Sequence, residues 1–385
     1  MTRALIPALF AAALMAACEE EPPAFHEHES DGGTQPLGPT VQGAATYDVV
    51  LESDITYAEG LGYNPRGDGT SKIELPLKLD VYSPDNNIDR RPVFMWIHGG
   101  GFTGGSKTRD DIEEMGAYFA ARGWVFVSIN YRTTEVLSDG YDLCEEEGAE
   151  HEEAVEFYRG IAPQEWTRYA CDGAANRLNF HQSIAMYAAQ RDARAALRWV
   201  VANADEYSID LDYITVGGNS AGAITASTLG IIDDGAFRDE IPAEDDPTRA
   251  TTNLSETYAV RSLVWFWGSR AKITLFGNVY GGDPYDAGDP ELFMAHGPAE
   301  EPGESNTPYT ESLELQSTYD DFGVHSEVVL LYCDGQEEPL CPFDTDDDGV
   351  TDAWGHGAWK ATVDGKSLFD LSFDFVVRRQ GLVVE

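Results

Sequence analysis

Ser220 stands in the run Gly218-Asn219-Ser220-Ala221-Gly222, directly after the strand-like Tyr213-Ile214-Thr215-Val216 and before a small-residue, helix-compatible stretch. A serine flanked by glycines at a sharp strand-to-helix turn projects from the chain, because a Cβ on either flank would strike neighbouring backbone. Such a hydroxyl can attack a carbonyl. Upstream, His98-Gly99-Gly100-Gly101-Phe102 follows the apolar run Pro92-Val93-Phe94-Met95-Trp96-Ile97, which reads as a buried parallel strand. Attack at an ester or amide builds negative charge on the carbonyl oxygen, and each N–H already aimed there lowers the barrier by roughly 3–4 kcal/mol. The amides of Gly100, Gly101 and Ala221 are the expected donors, an oxyanion hole.

Alternating strands and helices are needed to hold these groups in place. Ser128-Ile129-Asn130-Tyr131-Arg132 follows the next strand, and Gln190-Arg191-Asp192-Ala193-Arg194-Ala195-Ala196-Leu197-Arg198-Trp199-Val200 is an amphipathic helix leading into the nucleophile strand. With both motifs and both segments in this order, the chain resembles an α/β-hydrolase of the HGGG-type carboxylesterase and lipase group. It is similar to the hormone-sensitive-lipase-like and feruloyl-esterase-like families over most of its length. The resemblance implies an α/β fold, a mostly parallel central sheet flanked by helices, with an inserted lid segment. It is more specific for fold than for substrate, since one fold hosts many chemistries.

In that fold the chain order is serine, acid, histidine. After Ser220 come His296, His325 and His356. His325 precedes a strand, the wrong end for catalysis. His296 closes a strand in the place of the family's structural HG histidine. His356, in Gly355-His356-Gly357-Ala358-Trp359, resembles the family's GHG-x-W loop and is the expected general base. The family carries Asp four residues after the HG histidine, where this chain has Glu300. A glutamate can serve. Glu300 is the first choice of acid, with Glu301 and Glu304 as alternatives because the loop before Pro308 is long. Asp286 and Asp289 precede the strand and belong to the opposite end of the sheet. The chemistry needs no cofactor.

Asp344, Asp346, Asp348 and Asp352 take positions 1, 3, 5 and 9 of a loop with Gly349 at 6 and the Val350 carbonyl at 7. That spacing wraps oxygen ligands around Ca²⁺. Position 12 is Gly355 rather than Glu, so the run resembles thrombospondin type 3 and dockerin calcium loops. Clustered carboxylates repel one another without a cation, and the expectation is a structural Ca²⁺ that orders the loop before His356.

Met1-Thr2-Arg3 and the apolar stretch to Ala17 read as a signal peptide (1–17), ending in Leu14-Met15-Ala16-Ala17-Cys18. This resembles a bacterial lipobox, in which Cys18 is lipidated, and implies an envelope lipoprotein; ordinary cleavage and secretion is the alternative. Residues 18–45, rich in Glu, Pro, Gly and His, read as a disordered acidic tether, leaving 46–385 for the catalytic domain. His26 and His28 in that tail more often do nothing than bind metal. No later segment is apolar enough to span a bilayer. Four further cysteines in an oxidising compartment suggest disulfides, with Cys144–Cys171 and Cys333–Cys341 expected as nearest pairs. The first pair would staple the segment from about Thr133 to Asn179, taken as the lid.

The formal net charge of −43 excludes nucleic acid as a partner and opposes anionic lipid headgroups. It favours neutral small or medium acyl esters as substrates, including polysaccharide-linked ones. Beside a serine carboxylic ester hydrolase stand two other readings, a serine peptidase or amidase of the same fold and a non-catalytic calcium-binding envelope protein on a hydrolase scaffold.

Overall fold

Arg91–Ile97 is buried along its whole length, as a strand covered on both faces must be. It lies inside an eight-stranded sheet in the computed structural model, which describes residues 38–63, 71–137, 143–145, 147–171, 178–233, 235–280, 282–303, 305–333, 342–343, 351 and 353–385. The strands are β1 (Val49–Tyr63), β2 (Lys72–Pro84), β3 (Arg91–Ile97), β4 (Val125–Ile129), β5 (Ile209–Asn219), β6 (Ser262–Phe266), β7 (Glu291–His296) and β8 (Ser326–Leu330). Their spatial order is β1-β2-β4-β3-β5-β6-β7-β8. β2 runs antiparallel to both neighbours, and every other adjacent pair beyond it is parallel. This is the α/β-hydrolase fold expected from the two glycine motifs.

Successive β3 side chains divide between two cores. Val93, Met95 and Ile97 join one apolar cluster, while Phe94 and Trp96 join the other. Among the described residues, eight helices of eight or more residues accompany the sheet: α1 (Asp110–Ala120), α2 (Gly148–Tyr158), α3 (Gln164–Cys171), α4 (Phe180–Ala202), α5 (Ala221–Ile231), α6 (Arg270–Tyr280), α7 (Thr310–Phe322) and α8 (Leu368–Gln380). Ile184 of α4 and Ile224 of α5 belong to the first cluster; Phe119 of α1 and Phe375 of α8 belong to the second. Trp96 meets Phe94, Phe266 and Trp359 edge-on or tilted at 5.2–5.8 Å. Its truncation to Ala would cost about 3–5 kcal/mol and loosen the wall behind His356.

Helix α4 begins with a capping box, Asn179 accepting from the Gln182 amide and Gln182 returning the bond. Along it, Asp192 takes Arg132 at 2.7 Å in an ion pair buried on both sides, and Arg132 also donates to the Leu61 carbonyl at 2.8 Å. The arginine after β4 and the aspartate of the helix, both in segments that carry the family resemblance, thus hold each other. Removing one partner would strand the other's charge at a cost of about 3–5 kcal/mol.

Register brings the carboxyl ends of the parallel strands level. Ile97 pairs with Gly218, Asn219 with Phe266, Phe266 with Ala295, and His296 with Leu330. Every loop leaving these strands therefore starts at one edge, the usual place for a site in such a sheet.

Two expectations change. The tether, expected to reach residue 45, ends earlier: Thr40–Val41 pairs in parallel with Val383–Val384, and Val41 is fully buried. The segment 133–179 does not behave as a lid over the serine. Phe157, Tyr158 and Trp166 are core residues, the Trp166 indole donates to the Ser183 carbonyl at 2.8 Å and its ring stacks on Phe276. These contacts commit the segment to α4 and α6, and none of its described residues lines the cavity at Ser220. The Cys144–Cys171 disulfide staples it as expected, with Cα atoms 5.2 Å apart. Cys333 is also disulfide-bonded, while Cys341 lies outside the described residues. Among the described residues no helix is long and apolar enough to cross a membrane.

Candidate active site

Ser220 joins β5 to α5 with φ +55° and ψ −123°, a conformation that costs a non-glycine residue about 1–3 kcal/mol. The turn persists because its surroundings determine it. A Cβ on Gly218 would lie 2.3 Å from the Gly222 carbonyl oxygen, and one on Gly222 would lie 2.0 Å from that of Ile97. Only hydrogen fits at both flanks. The Ser220 amide donates to the Phe266 carbonyl at 2.9 Å, which ties the turn to the end of β6.

From this turn Ser220 Oγ reaches His356 Nε2 at 3.0 Å, and His356 Nδ1 lies 2.9 Å from Glu300 Oε1. Glu300 is 5% exposed, whereas Glu301 on the same turn is exposed and Glu304 lies outside the described residues. The acid loop thus brings the first of the three candidate glutamates to the histidine. Ser305 and Thr307 hydroxyls each donate to Glu300 Oε1 at 2.7 Å, and Thr307 Oγ1 also sits 3.2 Å from His356 Nδ1. Burial opposes ionisation of Glu300, but the close approach of His296, the hydrogen bond with His356 and the attraction of both rings outweigh it and hold the carboxyl down at about 2.

His296 closes β7 fully buried, as expected of a structural residue. Its single Nε2 hydrogen faces two acceptors, the Thr307 carbonyl at 2.8 Å and Glu300 Oε2 at 3.0 Å. The shorter contact has hydrogen-bond geometry, and Oε2 is left with proximity but no bond of its own. His325 lies ahead of β8 against Glu327 at 2.8 Å, and Asp286 and Asp289 lie ahead of β7. All three sit at the other end of the sheet. Burial pushes Asp289 up to about 8, so a perturbed carboxyl alone does not mark this site.

The loop after β3 faces the serine. Gly100 has φ +131°, and a Cβ there would meet the Gly104 carbonyl oxygen at 2.0 Å. Its own carbonyl accepts from the Thr103 amide and hydroxyl at 3.0 and 2.9 Å, while the Gly101 carbonyl accepts from the Gln182 side chain at 3.0 Å. With the carbonyls committed, the Gly100 and Gly101 amides donate to no acceptor among the described residues, and the Ala221 amide opens α5 without an intrahelical partner. Behind them His98 stacks on Tyr131 at 4.3 Å; burial, with the Arg109 charge adding to it, pulls His98 down to about 4 and keeps it neutral.

These groups open into a cavity of about 540 Å³ lined by Gly100, Gly101, Ser220 and His356, and also by Arg109, Trp267 and Trp359. Trp267 adopts φ +38° and its ring meets His356 edge-on at 6.2 Å. Trp267, Arg109, Ser305 and Thr307 carry no signal in the sequence; each is placed by a loop whose path depends on distant strands. A second cavity of about 570 Å³ lies around Tyr158, Arg159 and Pro163, away from this chemistry. The aspartates at 344, 346, 348 and 352 and Val350 lie outside the described residues, among which no cluster of three metal-ligating side chains occurs. Cys18 also lies outside them.

Fold and elbow together define the class, an α/β-hydrolase. More particularly, residues 79–138 and 174–269 match the BD-FAE family model, an α/β-hydrolase esterase family. Among curated proteins the chain is similar to acetylcholinesterase of Gallus gallus, 33% identical over 148 residues covering 38% of this chain and 14% of that one. It is also similar to fumonisin B1 esterase of Sphingopyxis macrogoltabida, 28% identical over 207 residues covering 52% and 31%. The chain therefore spans less than a third of the length of these relatives. Of solved structures, the apo form of Thermogutta terrifontis esterase 2 is 19% identical with a TM-score of 0.49, covering 87% of this chain and 97% of that one. A truncated carbohydrate esterase from gut microbiota is 16% identical with a TM-score of 0.47, covering 88% and 99%.

Proposed function

We propose that this chain is a carboxylic ester hydrolase working through Ser220, His356 and Glu300. The observation that carries the reading is the unbroken relay from Ser220 Oγ to His356 at 3.0 Å and from His356 to Glu300 at 2.9 Å, beside uncommitted backbone amides. His356 Nε2 accepts the serine proton as Oγ attacks the ester carbonyl, and the Gly100, Gly101 and Ala221 amides take up the oxyanion. Collapse of the tetrahedral species returns that proton to the departing alcohol and leaves an acyl-serine. Water, deprotonated by the same nitrogen, then releases the acid. Glu300 fixes the Nδ1–H tautomer and stabilises the imidazolium without taking the proton. The esterase names of the curated relatives support this chemistry over that of a peptidase.

The acidic surface disfavours the approach of polyanions, so small or medium acyl esters with little charge are the expected substrates. We further propose that the aspartate run 344–352 takes Ca²⁺ and that Cys18 carries a lipid anchor at a bacterial envelope. Hydrolysis of p-nitrophenyl esters from acetate to dodecanoate tests the enzyme reading, with Ser220→Ala alongside. Activity present in the wild type and lost in the variant is expected. A wild type that is inert and unlabelled by a fluorophosphonate would overturn it.

A further inference from the structure

Three ionisable side chains line the cavity at Ser220 among the described residues: Arg109, Glu300 and His356. The Glu300 charge is spent inward on His356, Ser305 and Thr307. That leaves Arg109 as the permanent cation. Among the described residues its one ion pair is a single contact to Asp111 at 3.4 Å, with the arginine side chain 43% exposed. Asp110 and Glu113 share the first turn of α1 with Asp111 but form no ion pair with the Arg109 guanidinium.

Some other arginines of this chain are held more closely. Arg378 grips Glu327 with two bonds at 3.0 and 3.1 Å, and Arg132 holds Asp192 at 2.7 Å. With 68 acidic residues against 25 basic ones, a close carboxylate for Arg109 would be easy to supply. None is supplied on the cavity side among the described residues. The guanidinium offers a planar fork of donors matched to a carboxylate. Asn306, on the same lining, has its backbone carbonyl engaged by Lys272 at 2.7 Å, while its side-chain amide makes no hydrogen bond among the described residues.

We propose that Arg109 selects esters that carry one free carboxylate near the scissile bond, a half-ester of a dicarboxylic acid being the simplest such substrate. The inference rests on the esterase reading for its turnover but not for its binding. It also reverses, locally, what the overall charge predicts. Long-range repulsion by the acidic surface is largely screened beyond about 8 Å at 0.15 M salt, whereas a contact pair inside a cavity is screened much less.

The test compares monoethyl and diethyl glutarate hydrolysis at 0.15 M salt by acid release, for wild type, Arg109→Gln and Arg109→Lys. The ratio of kcat/KM for the half-ester to that for the diester is expected to fall about tenfold in Arg109→Gln, mainly through KM. Arg109→Lys is expected to recover part of it. An unchanged ratio overturns the proposal. If neither ester is turned over and no fluorophosphonate label is taken, the esterase reading fails, and calorimetric titration with glutarate decides the remainder. Binding weakened in Arg109→Gln upholds the carboxylate site; binding that is absent or unaltered overturns it.

Discussion

Replacing Glu300 by Gln keeps the shape of the acid and removes its charge. The Nδ1···Oε1 separation of 2.9 Å puts the imidazolium and carboxylate charges about 4 Å apart. At an effective dielectric near 20 this attraction is worth about 4 kcal/mol, or about 10³-fold in rate. The glutamine carbonyl can still accept from Ser305, Thr307 and His356, so the loss is chiefly electrostatic. In stopped-flow hydrolysis of a p-nitrophenyl ester, kcat is expected to fall by about 10³ with KM within about threefold, because Glu300 sits behind the histidine. Stability should move as well. The carboxyl ionises at about 2 in the fold against 4.5 ordinarily, so its contribution of about 3 kcal/mol is present above pH 4.5. It is lost as pH falls from there through 2. The wild type's advantage over Glu300→Gln in urea unfolding should therefore shrink across that window. A variant with kcat within tenfold of wild type, beside an inert Ser220→Ala, would refute the assignment of the acid.

Ser220→Gly should abolish hydrolysis yet raise Tm by about 2 °C over wild type, since glycine adopts φ +55° freely. Ser220→Ala keeps the strain and should show no such gain; equal Tm values for the two variants would contradict the strain. Replacing Cys144 and Cys171 by Ser opens a loop of 27 residues and should cost about 3.5 kcal/mol in denaturant unfolding. Because the stapled segment stays off the described lining of the Ser220 cavity, kcat/KM should stay within about twofold; a tenfold loss would restore a lid role. Exhaustive chelation of Ca²⁺ should lower Tm and activity together, and no change in either would remove calcium from the account.

The elements nearest the chemistry are legible in the sequence because their constraints are local. Gly218 and Gly222 tolerate no Cβ, and the buried run before His98 has no alternative to a central strand. The histidine and the acid are legible through chain order and through resemblance to the family's GHG-x-W and HG motifs, which rank Glu300 first without excluding Glu301. What separates them is burial against His296 and Thr307, set by where β7 ends relative to β8. The supposed lid fails for the same reason. Its length says insertion, but the Trp166 stack on Phe276 joins residues more than a hundred positions apart. The boundary near residue 45 is likewise decided by a partner at the far end of the chain.

That terminal pairing has a consequence for handling the molecule. Thr40–Val41 lies along Val383–Val384, and the Gln42 and Thr46 amides bond to Arg122 and Ala121, just ahead of the start of β4. The start of a parallel strand is the edge opposite Ser220. Both ends of the folded domain therefore lie on its back, at opposite ends of one short parallel pairing. A bead or a fusion partner joined at either end attaches away from the cavity, and a circular permutant joining residue 385 to residue 38 through a crossover linker of about a dozen residues should keep its site intact.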